Sequence, residues 1–186
     1  SNLLSVLMSD NSYCAISPHI YDNNTKENWF AGTMIDFDKC KITNSPNLPN
    51  ELNSEIDVFN GCAVLFDAQK FKEAGMFDED TFLYYDEANL SMNLKKLNYK
   101  CIYVPTLDIY HDVSSSTGNH SFLKSYYMMR NHIYFFKKNK PNCRIKAFYV
   151  PLKNLISATR HLRISSVRGI LLGVLHYLLN KKGKQI

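Results

Sequence analysis

The hydrophobic pattern of this chain changes period once, near Gly118, and its charge changes sign close to the same place. Upstream, apolar residues come in short runs, several alternating, broken by Gly, Pro, Asn and Asp, as in strands joined by tight turns. Downstream, Phe122, Tyr126, Met129, Ile133 and Phe136 recur at three- and four-residue steps, a core-facing helical stripe. Strands with interspersed helices, followed by a helical region, predict an α/β fold. The chain of 186 residues, 45% hydrophobic and 13% aromatic, is long and apolar enough to bury a core rather than remain disordered.

The charge division is sharp. Residues 1–112 hold 8 Lys and Arg against 17 Asp and Glu, whereas residues 113–186 hold 14 Lys and Arg and no acid, for a net charge of +5. A basic surface facing an anionic partner follows: nucleic-acid phosphates, anionic lipid heads or a pyrophosphate-linked substrate. Five cysteines at positions 14, 40, 62, 101 and 143 form no CxxC pair, which argues against a zinc ribbon or a disulfide framework and for a reducing compartment. The opening Ser-Asn reads as a cloning scar, and residues 3–8 are too short an apolar run, with no basic leader, for a signal peptide.

Along the chain, strands are expected at 12–20, 31–43 (as a strand or hairpin), 56–66, 100–104 and 107–110, the last two separated by Pro105. Asn60-Gly61 interrupts the third as a bulge or a close approach. Helices are expected at 68–74, ending at Gly75, at 86–96 and from about residue 119. Residues 43–54 read as an exposed loop and Ser114-Ser115-Ser116 as a mobile one. In the tail, roughly 144–181, Ile164, Val167, Leu171, Val174 and Leu178 form an apolar stripe flanked by Arg160, Arg163, Arg168, Lys181 and Lys182. Its longest apolar run is about half the ~20 residues of a membrane span, so it either lies on a membrane surface or packs on its own domain.

The chemistry-bearing stretch runs from Asn60 to Asn131. It contains Asn60-Gly61-Cys62-Ala63, Glu73-Ala74-Gly75-Met76-Phe77-Asp78-Glu79, Phe82-Leu83-Tyr84-Tyr85-Asp86-Glu87-Ala88-Asn89-Leu90, Leu97-Asn98-Tyr99-Lys100, Tyr103-Val104-Pro105, His111 and Arg130-Asn131. This order resembles the second half of glycosyltransferase family 2, its rhamnosyltransferase-like branch in particular, over roughly residues 12–140. The resemblance implies the C-terminal, acceptor-side part of a GT-A (Rossmann-like) domain, with a mixed sheet, packed helices and a basic C-terminal helical region. Residues 1–140 would be the partial transferase domain, without the nucleotide-binding half, and 141–186 a basic amphipathic tail.

An inverting sugar transfer needs a carboxylate to take the acceptor's proton and a cation to stabilise the departing nucleotide diphosphate. By resemblance, Glu87 is the catalytic base and Asp86 its neighbour, orienting the acceptor or sharing the role. Asn60, Gly61 and Asn89 would line the acceptor site and His111 would complete metal or diphosphate binding. The implied cofactor is Mg²⁺ or Mn²⁺, and the implied partners are a nucleotide-sugar donor and a glycan or lipid-linked acceptor of cell-surface polysaccharide synthesis. The implied setting is the cytoplasm, with peripheral contact at the inner face of the plasma membrane; homo-oligomers are expected and nucleic acid is not.

The chain departs from the family in three places: the acidic pair is Asp-Glu rather than Glu-Asp, the family's next Asp is Asn89, and its helix Arg is Asn93. Asp36-Phe37-Asp38 matches a metal-binding Asp-x-Asp in letters but comes too late in the order. The residues alone also admit helix-start acids at 86–87, a structural His111, Arg130-Asn131 as an anchor of a helix to the sheet, and a non-catalytic carbohydrate-binding or scaffolding remnant.

Overall fold

The computed structural model describes residues 2–44, 53–112, 121–140, 143 and 145–186. The central part of the expected 43–54 loop and the Ser114–Ser116 segment lie outside these residues. The protein is mixed α/β, with a curled mixed sheet and packed helices. It forms two compact units: Ser1–Ile35, Ile42–Phe77 and Glu87–Val113 make the first, and Asp36–Lys41, Asp78–Asp86 and Ser114–Ile186 the second. The division does not fall at residue 140. Helix Phe122–Asn139, expected with the sheet, groups instead with the tail helices.

The first unit is built on strand Tyr13–Asp22 (β1), buried from Cys14 to Ile20. It pairs in parallel with Lys100–His111 (β7), and antiparallel with Asn28–Phe30 (β2) and Leu65–Phe66 (β6). Ser54–Ile56 (β5) pairs antiparallel with β7. A parallel pair needs a crossover, and the chain between β1 and β7 includes helices Ala68–Glu73 (α2) and Asp86–Lys96 (α3). Thr33–Asp36 (β3) and Lys41–Asn44 (β4) form a separate hairpin, as expected for 31–43.

Successive residues of β1 serve different clusters. Ala15 packs with Leu90 and Leu94 of α3, whereas Ile16 packs with Ile102, Val104 and Val6. Val6 lies on a short helix, Leu3–Leu7 (α1), capped by the Asn2 side chain. That helix was not expected; five residues carry too little periodicity to announce it.

Two expected strands differ. Of 56–66, the ends pair with neighbouring strands and Val58 makes a single antiparallel bridge to Thr33, while local side-chain bonds take the place of a continuous ladder between them. The Asp57 carboxylate accepts from the Ile35 amide and pairs with Lys95, while the Asn60 side chain accepts from Cys62 N–H. Residues 100–111 form one strand instead of two. Val104 pairs with Pro18 and Asp108 with His19, so Pro105–Leu107 bulge from the ladder, where two prolines supply no N–H.

The second unit is helical: Phe122–Asn139 (α4), a 3₁₀ turn at Lys146–Phe148, Tyr149–Arg160 (α5) and Ile164–Leu178 (α6). Helix α6 lies against α4 through Ser166, Gly169, Ile170 and Gly173, not through the expected Ile164, Val167, Leu171, Val174 and Leu178 stripe as a whole. Backbone proximity is the reason. A Cβ on Gly169 would stand 2.5 Å from the Phe122 carbonyl oxygen, and one on Gly173 2.5 Å from that of Tyr126. All five cysteines are free thiols, four of them buried. Among the described residues no helix is long and apolar enough to cross a membrane.

Glycine to alanine in an open helix stabilises by about 1 kcal/mol. At Gly173 the contact with the Tyr126 carbonyl reverses the sign: Gly173→Ala is expected to destabilise the protein by about 1–3 kcal/mol. Exposed Ser165→Ala on the same helix should be neutral or slightly stabilising. Urea denaturation of both variants checks the contrast.

Candidate functional site

Within the sheet unit, loop Asp57–Val64 and the start of α3 come together. The Glu87 side chain lies directly over Gly61: a Cβ there would stand 2.7 Å from the Glu87 carboxylate oxygen. Only glycine lets this loop and this carboxylate approach so closely. Asn60 fixes the loop from its other side. Its N–H donates to the buried Ser17 hydroxyl at 3.4 Å, and its carbonyl accepts from Ala63. Thus Asn60, Gly61 and Glu87, named from sequence, are neighbours in space.

Asn89 lies one turn-face inward on α3. It is buried, and neither its side-chain oxygen nor its nitrogen has a hydrogen-bond partner. A buried amide left unpaired costs about 1–3 kcal/mol, so it is a group that a polar ligand would satisfy. Asp86, half-buried, is the first residue of α3, where the positive end of the helix dipole favours a carboxylate. Asn93 donates to the Ala74 carbonyl and ties α3 to the end of α2. His111 ends β7 with its ring 5.1 Å from that of Trp29.

A polar pair on the buried strands was not found from sequence. His19 Nδ1 shares a 2.5 Å hydrogen bond with the Tyr103 hydroxyl, and His19 Nε2 is buried without a partner. Burial lowers the His19 pKa against the opposing pull of Asp108, and pushes Tyr103 up to about 12, so both are neutral at pH 7. The only signal was Ser17-Pro18-His19 set inside an apolar run.

No three His, Cys, Asp or Glu side chains among the described residues converge to hold a metal ion. The residues present do not by themselves fit a divalent-metal site around His111. Asp36 pairs with Lys39, and Asp38 with Lys140.

In the helical unit, the segment before α3 is held in a rare conformation. Phe82, Tyr84 and Tyr85 have φ of 60°, 64° and 69°, each left-handed and unfavourable for a residue with a Cβ. Arg130 and Asn131 of α4 clamp it. The buried Arg130 guanidinium donates to the carbonyls of Asp80, Thr81 and Gly183, and lies over the Tyr126 and Tyr127 rings. The Asn131 amide nitrogen is within 3.0 Å of the carbonyls of Thr81, Leu83 and Tyr84. The pair therefore anchors α4 to this loop. Beside it, the Tyr85 hydroxyl bonds to His132 Nδ1 at 2.8 Å.

No protein-family model matches this chain, and no curated protein matches it.

Two outcomes follow from the clamp. Asn131→Ala removes the amide donor to the Leu83 and Tyr84 carbonyls and the buried acceptor of Arg130 Nε, and is expected to cost about 3 kcal/mol by urea denaturation. Burial lowers the His132 pKa from 6.5 to about 4, so between those values the unfolded chain binds a proton that the folded chain does not. Stability is full above about pH 6.5 and falls with acidification at about 1.4 kcal/mol per pH unit until about pH 4. His132→Phe should flatten that slope; an unchanged slope would place the acid sensitivity elsewhere.

Proposed function

We propose that this chain is the acceptor-side portion of an inverting glycosyltransferase of the GT-A type, similar to family 2 and its rhamnosyltransferase-like branch. It would transfer sugar from a nucleotide-sugar donor to a glycan or lipid-linked acceptor in cell-surface polysaccharide synthesis, at the cytoplasmic side. The observation that carries the reading is the Glu87 carboxylate seated over Gly61, with the unpaired Asn89 amide two residues on.

In this reading Glu87 takes the proton of the acceptor hydroxyl as its oxygen attacks the anomeric carbon. The bond from that carbon to the diphosphate breaks, the nucleotide diphosphate leaves with the electron pair, and configuration inverts. Asp86 orients the acceptor, and Asn60 and Asn89 offer amide groups to its hydroxyls. The closeness of Gly61 keeps the carboxylate at the loop. Donor diphosphate and Mg²⁺ or Mn²⁺ would be held by residues beyond those described here, and a metal role for His111 would require ligands from there.

The reversed Asp86-Glu87 order and the asparagines at 89 and 93 favour a second reading, a non-catalytic carbohydrate-binding or scaffolding remnant. A form extended upstream discriminates. Thermal shift with a nucleotide-sugar panel and Mn²⁺ is expected to show stabilisation by one donor in the extended form only. Within that form, Glu87→Gln should keep the shift and lower turnover by about 10²–10⁴-fold. Gly61→Ala needs only the flexible end of Glu87 to move, so it should reduce turnover with little change in melting. An extended form that neither binds nor turns over any donor would leave the carbohydrate-binding remnant standing.

A further inference from the structure

The helical unit presents an apolar surface with cations on the same faces. Helix α6 uses its small residues on α4, which leaves Leu171, Leu175 and Leu178 facing out, the last 64% exposed. Helix α5 exposes Leu152 and Ile156, the turn between the helices exposes Leu162 at 84%, and the first residue of α6, Ile164, is 70% exposed. A groove of about 840 Å³ lies between α5 and α6, lined by Leu155, Ile170 and Val174 together with Leu152, Leu171, Leu175 and Leu178.

Lys153 and Arg160 fall at one-turn steps from Tyr149, Leu152 and Ile156 on α5, and Arg168 does so from Ile164, Leu171 and Leu175 on α6. Arg163 lies in the turn. Among the described residues none of these four cations pairs with a carboxylate. The acid that lines the groove, Asp38, is paired with Lys140. Helices of 12 and 15 residues are too short to cross a bilayer.

We propose that the α5–α6 hairpin docks on an anionic bilayer surface. It lies in the interfacial plane, with its leucines among the acyl chains and Lys153, Arg160 and Arg168 against the lipid phosphates. Long basic side chains reach the headgroups while apolar neighbours sink below them. Charge complementarity selects this occupant: a symmetric second copy would set cation against cation, and nucleic acid would leave the leucines uncovered. The inference rests on the helical unit alone and holds whatever the chain catalyses.

Vesicle flotation tests it, with phosphatidylcholine alone against phosphatidylcholine containing about 30% phosphatidylglycerol. Affinity should be at least about tenfold higher for the anionic vesicles and should fall when salt is raised from about 0.05 to 0.5 M. Lys153→Gln with Arg160→Gln and Arg168→Gln should weaken binding roughly 100-fold. Leu171→Ser with Leu175→Ser and Leu178→Ser should abolish what survives high salt. These positions are all exposed, and circular dichroism melts check that each variant folds. Absence of flotation with either vesicle, or equal flotation that neither variant set changes, overturns the proposal. So does a concentration-dependent dimer in light scattering that the serine set abolishes while vesicle binding is absent, which assigns the face to a second copy.

Discussion

A buried guanidinium without a carboxylate partner organises the helical unit. Arg130 is buried, and its charge is met by peptide carbonyls and the faces of two tyrosines. Removing a charge from water costs several kcal/mol unless every N–H finds an acceptor. The carbonyls of Asp80, Thr81 and Gly183 can meet it only if the chain turns sharply between Asp80 and Asp86. That turn places Phe82, Tyr84 and Tyr85 in the left-handed region, at about 1–2 kcal/mol each. The four N–H donors that Arg130 Nη2 and the Asn131 amide bring to the carbonyls of residues 80–84 offset a cost of that order. The clamp and the strain each exist because of the other, and the residues so held lead straight into Asp86 and Glu87.

The helices and the hairpin were legible because their signals are local. Helix α3 occupies the expected 86–96, and β1 runs two residues beyond its expected end. What could not be read is what depends on distant partners. Residues 56–66 look like one strand because Ile56, Val58, Phe59 and Val64 are apolar, yet beyond the bridge of Val58 to Thr33 the Asp57 and Asn60 side chains bond the Ile35 and Cys62 amides in place of a continuous ladder. On α6 the eye follows the leucines. The face that packs is the one with the least side chain, since close approach to α4 forbids anything larger than glycine at 169 and 173. At the candidate site, Gly61 and Glu87 were named by the order of motifs, whereas the pairing of His19 with Tyr103 joins two strands through residues 84 positions apart in the chain.

Glycine carries two different arguments here. At 169 and 173 its missing side chain admits rigid backbone, so substitution must move a helix. At 61 it admits the end of a flexible glutamate, so substitution moves one carboxylate. The first kind of closeness serves stability; the second changes little stability and much geometry. Such a position fits a requirement set by what the carboxylate must reach.

The excess of positive charge also divides by role. Lys138, Lys140 and Lys182 neutralise Asp78, Asp38 and Asp80 within the helical unit, and Arg130 is consumed by carbonyls. The remaining cations on α5, α6 and their turn lie beside exposed leucines. A solvated basic face would gain nothing from those leucines, and a folded core would not leave them outside. The proposed bilayer partner, anionic outside and apolar within, would reconcile charge and apolar surface on the same two faces.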